Sequence, residues 1–161
     1  MTHLLAISVG PVQEFIAAAR RTRDPWFGSY LLSEVSRAVA KEVENQGGKL
    51  IFPASSEADN VANVILAELK AEADPKEVAA KAKTAAQARW LEFAKEAQKE
   101  AYGVIRTDLW NEQVEDVIEF YAAWATHTAK DKYKEDRARV MRLLGPPPME
   151  PERRAYLENG R

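Results

Sequence analysis

Residues 4–36 read LLAISVGPVQEFIAAARRTRDPWFGSYLLSEVS, and this stretch decides the fold. Leu4 to Val9 is apolar throughout except for Ser8. A continuous apolar run, as opposed to an alternating one, predicts a strand covered on both faces. The run ends at Gly10-Pro11. Glycine permits a tight turn, and proline at a first helical position lacks an N–H that would have no partner there. A helix is expected next, burying Val12, Phe15, Ile16 and Ala19 on one face and closing on Arg20, Arg21 and Arg23. Asp24-Pro25 should stop it, because the residue before a proline is pushed out of the helical region. Trp26-Phe27-Gly28 then reads as an aromatic turn, with Trp26 as a core wedge. A second helix is expected from about Ser29 to Asn45. Its apolar stripe is Leu32, Val35, Val39 and Val43. A separate line of small residues, Ser29, Ser33, Ser36 and Ala40, would let a backbone or a ligand come close.

Outward from this stretch, the pattern completes a small α+β domain. Gln46-Gly47-Gly48 ends the second helix. Lys49–Phe52 is a short strand stopped by Pro53, and residues 53–60, PASSEADN, are a polar loop. A strand follows from about Asn63 to Leu69. Asp74-Pro75 opens a long helix over residues 75–101, with Val78, Ala82, Ala85 and Ala86 as a thin apolar face. Thr107 or Asp108 caps a helical turn holding Leu109 and Trp110. Val117 to Trp124 mixes β-branched and aromatic residues and reads as the last strand. A charged helix over Thr128–Leu144, with Tyr133, Val140, Met141 and Leu144 inward, ends at Gly145-Pro146. The resulting β-α-β-β-α-β order predicts a ferredoxin-like (split βαβ) antiparallel sheet with helices on one face and an extra C-terminal helix. Residues 1–144 form the domain, and residues 145–161, rich in proline and charge, form a tail expected to be disordered or partner-bound.

Composition removes several function classes. The 161 residues carry 23 basic and 25 acidic side chains and no cysteine. No disulfide framework or thiolate metal site exists, and no global basic field favours nucleic acid. The only histidines, His3 and His127, have no ligand-like spacing. No run approaches the roughly 20 apolar residues that span a bilayer, and the N-terminus reads as a core strand rather than a signal peptide. A cytoplasmic protein is expected. No phosphate-loop, dinucleotide or nucleophile-elbow motif occurs. Glu115, Asp116 and Glu119 cluster near the last strand, and solvated surface is the simpler reading of them. Gly28-Ser29, read as a helix N-terminus, would favour an anion, with Arg20, Arg21 and Arg23 supplying positive charge. Local chemistry alone favours ordinary capping by Ser29 and arginine pairing with Asp24 and Glu34. Asn60 and Asn63 fit either a capped loop or the same cleft.

Ile7-Ser8-Val9-Gly10-Pro11-Val12-Gln13-Glu14-Phe15-Ile16, Ala19 to Asp24, Trp26, Gly28-Ser29 and Leu31-Leu32-Ser33 together resemble the large signature subunit of Cmr-type (type III-B) CRISPR effector complexes. The likeness extends more weakly through Ile51 to Pro53, Asn60 to Leu66, Gln113 to Trp124 and Tyr133 to Leu144. It implies the first of two palm domains with a ferredoxin-like, cyclase-type fold. In that family the palms bind ATP between them. The second palm carries a Gly-Gly-Asp-Asp turn that holds metal ions and makes cyclic oligoadenylate. Many members also have an N-terminal His-Asp nuclease. This chain has neither motif and no zinc cysteines. The resemblance therefore implies half of a nucleotide site, lined by Gln13, Ser29 and Ser33; Arg20, Arg23 and Gly28 are the phosphate candidates that the local chemistry offers. It implies no catalytic or metal-binding residue in this chain. Mg²⁺ would enter only through a partner palm. The expected partners are a second palm or other subunits of a CRISPR ribonucleoprotein, with RNA contact indirect. Two other readings stand beside it: a stand-alone homodimeric nucleotide-binding or cyclase-like enzyme, and a structural remnant with no ligand. The chain is expected to be an expressed fragment, a truncated gene product or a stand-alone palm.

Overall fold

The computed structural model describes residues 1–11, 24–101, 103–104, 106–115 and 117–145. The helix expected over residues 12–23 and the tail from 146 onward lie outside the described residues. The elements are β1 (Thr2–Gly10), α1 (Asp24–Asn45), β2 (Lys49–Phe52), β3 (Val64–Lys70), α2 (Pro75–Glu100), α3 (Thr107–Glu115), β4 (Glu119–His127) and α4 (Tyr133–Leu144), the last preceded by a 3₁₀ turn at Lys130–Lys132. The four strands form one sheet in the order β2-β3-β1-β4, with every neighbouring pair antiparallel. This is the strand order of the split βαβ, ferredoxin-like arrangement.

β1 lies at the centre and is covered on both faces, as its unbroken apolarity required. Leu5, Ile7 and Val9 point to one side, where they join Val35, Val39 and Val43 of α1, Ile65, Ala67 and Leu69 of β3, and Val78, Ala82 and Ala86 of α2. Leu4 and Ala6 point to the other side, against Leu66, Ala125 and Val140. Full burial of each large aliphatic side chain contributes about 1.5–3 kcal/mol. The extra C-terminal helix α4 thus sits on the opposite face from α1 and α2. It packs through Tyr133, Val140, Met141 and Leu144, the stripe expected from sequence. It is also latched by His127, whose Nδ1 lies 2.8 Å from Asp136 Oδ2 and whose ring meets Tyr133 edge-on.

The helix ends follow local chemistry. Asp74 Oδ1 accepts the Lys76 N–H at 2.9 Å, and Pro75 occupies the first turn of α2. At the end of α1 the Gly48 N–H donates to Val43 O and the Gly47 N–H to Glu44 O, both at 2.9 Å. Gly47 has φ +80°. These two bonds and the left-handed residue form a Schellman cap, which turns the chain directly into β2.

Three expectations shift at their edges. α1 begins at Asp24, not at Ser29. An aspartate and a proline suit the first turn of a helix as well as they stop a preceding one. Leu109 and Trp110 belong to a nine-residue helix, longer than the single turn expected. β4 runs from Glu119 to His127, a few residues later than Val117–Trp124, so the last helix begins later as well.

Candidate functional site

The end of β1 is held by the chain that enters β3. The Val9 N–H donates to Asn63 O at 2.8 Å, and the Asn63 Nδ2 donates to Val9 O at 3.4 Å. Asn63 is therefore a backbone clamp at the point where residues 12–23 depart. On the other side of β1, Gly10 pairs with Glu119. A Cβ at Gly10 would stand 2.9 Å from Glu119 Oε2, so glycine lets that carboxylate lie across the strand end. Among the described residues no group of three or more His, Cys, Asp or Glu side chains is disposed to hold a metal ion.

Two residues upstream of Asn63, the Val61 N–H donates to Ser33 Oγ at 2.8 Å. Val61 and Ser33 are both buried. The small side chain at position 33 thus admits a backbone, one of the two uses expected for the serine line. Ser36, one turn on, is fully buried and its hydroxyl has no hydrogen-bond partner among the described residues. Arg37 completes the attachment of the 53–61 loop. Its guanidinium donates to the carbonyls of Ser56 (3.0 Å), Ala58 (2.7 Å) and Asp59 (3.1 Å). Ser56 is itself buried and donates its hydroxyl to Glu44.

Glu34 bridges this loop clamp to α2. Its two oxygens accept from Arg37 Nε at 3.0 Å and from Arg89 Nη2 at 2.8 Å. Burial alone pushes the Glu34 carboxyl up, but its hydrogen bonds and charge contacts with Arg89 and Arg37 outweigh this and hold it below its ordinary value. The described partners of Glu34 are these two arginines; the pairing expected with Arg20, Arg21 and Arg23 falls outside the described residues. Neither Arg37 nor Arg89 was singled out from sequence, because their partners lie 19–22 and 55 residues away.

Of the residues assigned to a nucleotide, Gln13, Arg20 and Arg23 lie outside the described residues. Gly28 and Ser29 lie within α1, beyond its first four residues. The unpaired N–H groups of a helix belong to its first turn, so the anion cradle expected from a helix start at Ser29 does not form there. Ser29 is exposed, Gly28 half-buried and Ser33 buried against Val61. Ser29 and Ser33 are one helical turn apart, about 6 Å along the axis.

The aromatic residues beside them depart further from expectation. Trp26 is 72% exposed, so it is no core wedge. Its ring stacks on Tyr30 at 6.1 Å and 10°, and Tyr30 meets Phe93 of α2 edge-on at 6.2 Å. Arg89 lies over the Phe93 ring, 4.3 Å from its centroid. Tyr30 and Phe93, with Phe27, border a cavity of about 630 Å³ between α1, α2 and α3, whose walls include Leu31, Trp90, Ala97 and Trp110. Trp90 Nε1 donates to Val114 O at 2.9 Å and so fixes α3 as the third wall. The size is that of a ligand or side-chain pocket. Its walls are mainly apolar, with Glu96, Lys99 and Glu100 also lining it. The signal for it in the sequence was the i, i+3 spacing of Phe27 with Tyr30 and of Trp90 with Phe93.

Comparison with known proteins adds one finding. A protein-family model described as CRISPR-associated protein Cmr2, N-terminal, matches residues 4–101. No curated protein matches the chain.

Proposed function

The chain belongs to the family of the CRISPR-associated protein Cmr2, N-terminal region, and on that premise we propose that it is a palm module supplying one wall of an ATP site. Family membership makes it part of a type III-B effector subunit, and so of a multi-subunit complex. The observation that carries the nucleotide reading is the convergence at the end of β1. Asn63 clamps Val9, Val61 is bound by Ser33, and Ser29 stands exposed one turn away on the same helix. A nucleotide wall built here uses the surface of α1 at Gly28 and Ser29. Ser33 acts behind them, by fixing the loop. Gln13, Arg20 and Arg23 are the partners this reading assigns for the base or phosphates.

The carboxylates that two-metal nucleotidyl transfer needs would come from a partner palm. In this reading the chain is not catalytic by itself. The exposed Trp26–Tyr30 stack and the aromatic cavity beside it support the second half of the proposal, contacts with neighbouring subunits. No described helix is long and apolar enough to cross a membrane, and a cytoplasmic location accords with the proposed assembly.

Calorimetric titration with ATP, with and without Mg²⁺, tests the site. Heat of binding is expected without the metal, and Ser29→Ala should weaken it with the far-UV circular dichroism unchanged. A folded chain that gives no heat sinks the pocket for the isolated palm. Turnover to cyclic or linear oligoadenylates would overturn the non-catalytic assignment.

A further inference from the structure

The two outer strands of the sheet are built in opposite ways. An outer strand presents a row of N–H and C=O groups that can template another chain, and proteins usually blunt it with shortness, a bulge, lysine or proline. β2 has all four. It is four residues long, its register with β3 is broken between Leu50 and Phe52, it begins at Lys49, and Pro53 follows it. β4 has none. It is nine residues long and pairs with β1 in unbroken register from Thr2↔His127 to Gly10↔Glu119. Between Glu119 and His127 it reads FYAAWAT, without a charge or a proline. Trp124 on this strand is 40% exposed. Among the described residues no backbone group pairs with its outer edge.

We propose that β4 is an interface for a second copy of this chain, which adds its own β4 antiparallel across a two-fold axis at Ala123. The strand is complementary to its own reverse. With Ala123 opposite itself, Trp124 of one copy faces Ala122 of the other, Tyr121 faces Ala125 and Phe120 faces Thr126. Each large ring meets a smaller side chain. Glu119 faces His127, a carboxylate opposite an imidazole, so no like charges are opposed. A slip of two residues either way sets Trp124 against Phe120 or against itself, and loses this fit. The product is one continuous eight-stranded sheet, four strands from each copy. Backbone hydrogen bonds supply the affinity and the alternating side chains the register.

The absence of cysteine makes the register directly testable. In Ala123→Cys the two introduced thiols face each other, with Cα atoms about 4.5–5.5 Å apart, within disulfide reach. In Thr126→Cys they are offset by six residues, about 20 Å along the strand. Mild oxidation should convert the first variant to a covalent dimer and leave the second a monomer. Sedimentation velocity on the cysteine-free chain should show a dimer that grows with concentration. Trp124→Lys should raise its midpoint at least about tenfold, with far-UV circular dichroism unchanged. A chain that stays monomeric up to about 1 mM, corresponding to binding weaker than about 4 kcal/mol, overturns the proposal, also where the edge takes a strand of another protein instead. Equal cross-linking of Thr126→Cys and Ala123→Cys overturns it too.

Discussion

Ser33 and Val61 are joined by a buried hydrogen bond of 2.8 Å, and through it the first helix holds the loop that leads into β3. The bond makes Ser33 a positioning residue for the strand end that Asn63 clamps.

Ser33→Ala should therefore act on stability first. It leaves the buried Val61 N–H without a partner, which costs about 1–3 kcal/mol. Urea unfolding should show a lower midpoint with an unchanged slope. If Ser33→Ala instead leaves stability intact and weakens ATP alone, the residue lines the pocket directly and the loop-holding role is wrong.

Glu34 makes the fold sensitive to acid. Its folded-state pKa lies below the ordinary 4.5. The charge of Glu34 thus stabilises the fold fully above pH 4.5, and that contribution is lost as the pH falls through the lowered folded value. Glu34→Gln should lower stability at neutral pH by about 1 kcal/mol and flatten the acid limb. Unfolding midpoints at neutral pH and near pH 3, for both proteins, check it. Equal acid sensitivity in the two would remove Glu34 as a cause.

The two glycines after α1 should respond unequally to alanine. A Cβ at Gly48 would lie 2.7 Å from Val43 Cγ1, 2.8 Å from Val43 O and 2.9 Å from Leu69 Cδ2. The backbone oxygen cannot yield without breaking the cap, so Gly48→Ala should cost about 2–3 kcal/mol. Gly47 has φ +80° but nothing within 4 Å of a Cβ. Gly47→Ala should cost only the left-handed strain, about 1–2 kcal/mol. Thermal unfolding of both variants gives the order.

Trp90→Phe should loosen α3 selectively. The phenyl ring keeps apolar bulk in the cavity wall but cannot donate to Val114 O. A loss of about 1 kcal/mol corresponds to about fivefold faster opening. Amide exchange should show this over Thr107–Glu115 and not in β1. Uniform acceleration across the chain would mean that Trp90 supports the whole core.

Much of this architecture was legible in the residues. The unbroken run Leu4–Val9 announced a strand buried on both faces, and Leu4 and Ala6 indeed face α4 while Leu5, Ile7 and Val9 face α1 and α2. Asp74-Pro75 marked the start of α2, because both residues suit a first helical turn. Asp24-Pro25 carries the same start signal for α1, which begins at Asp24 and not at Ser29; the preceding helix that this pair is expected to stop lies outside the described residues. The candidate site was less legible. A buried serine that binds a loop and a serine that lines a pocket look alike in sequence, and only Val61 distinguishes them. The triple clamp of Arg37 was invisible for a related reason. It is made to carbonyl oxygens, which every residue carries.

The central position of β1 bears on how the chain folds during synthesis. Its neighbours in the sheet are β3, which ends at Lys70, and β4, which ends at His127. Translation from Gly10 to His127 takes on the order of ten seconds at typical elongation rates. Contacts this distant in sequence form late and slow the search for the native state. Throughout that interval one side of a strongly apolar strand has no native partner. A chain stalled before His127 should therefore expose Leu4–Val9 to chaperones, because one edge of this strand stays unpaired until β4 is made.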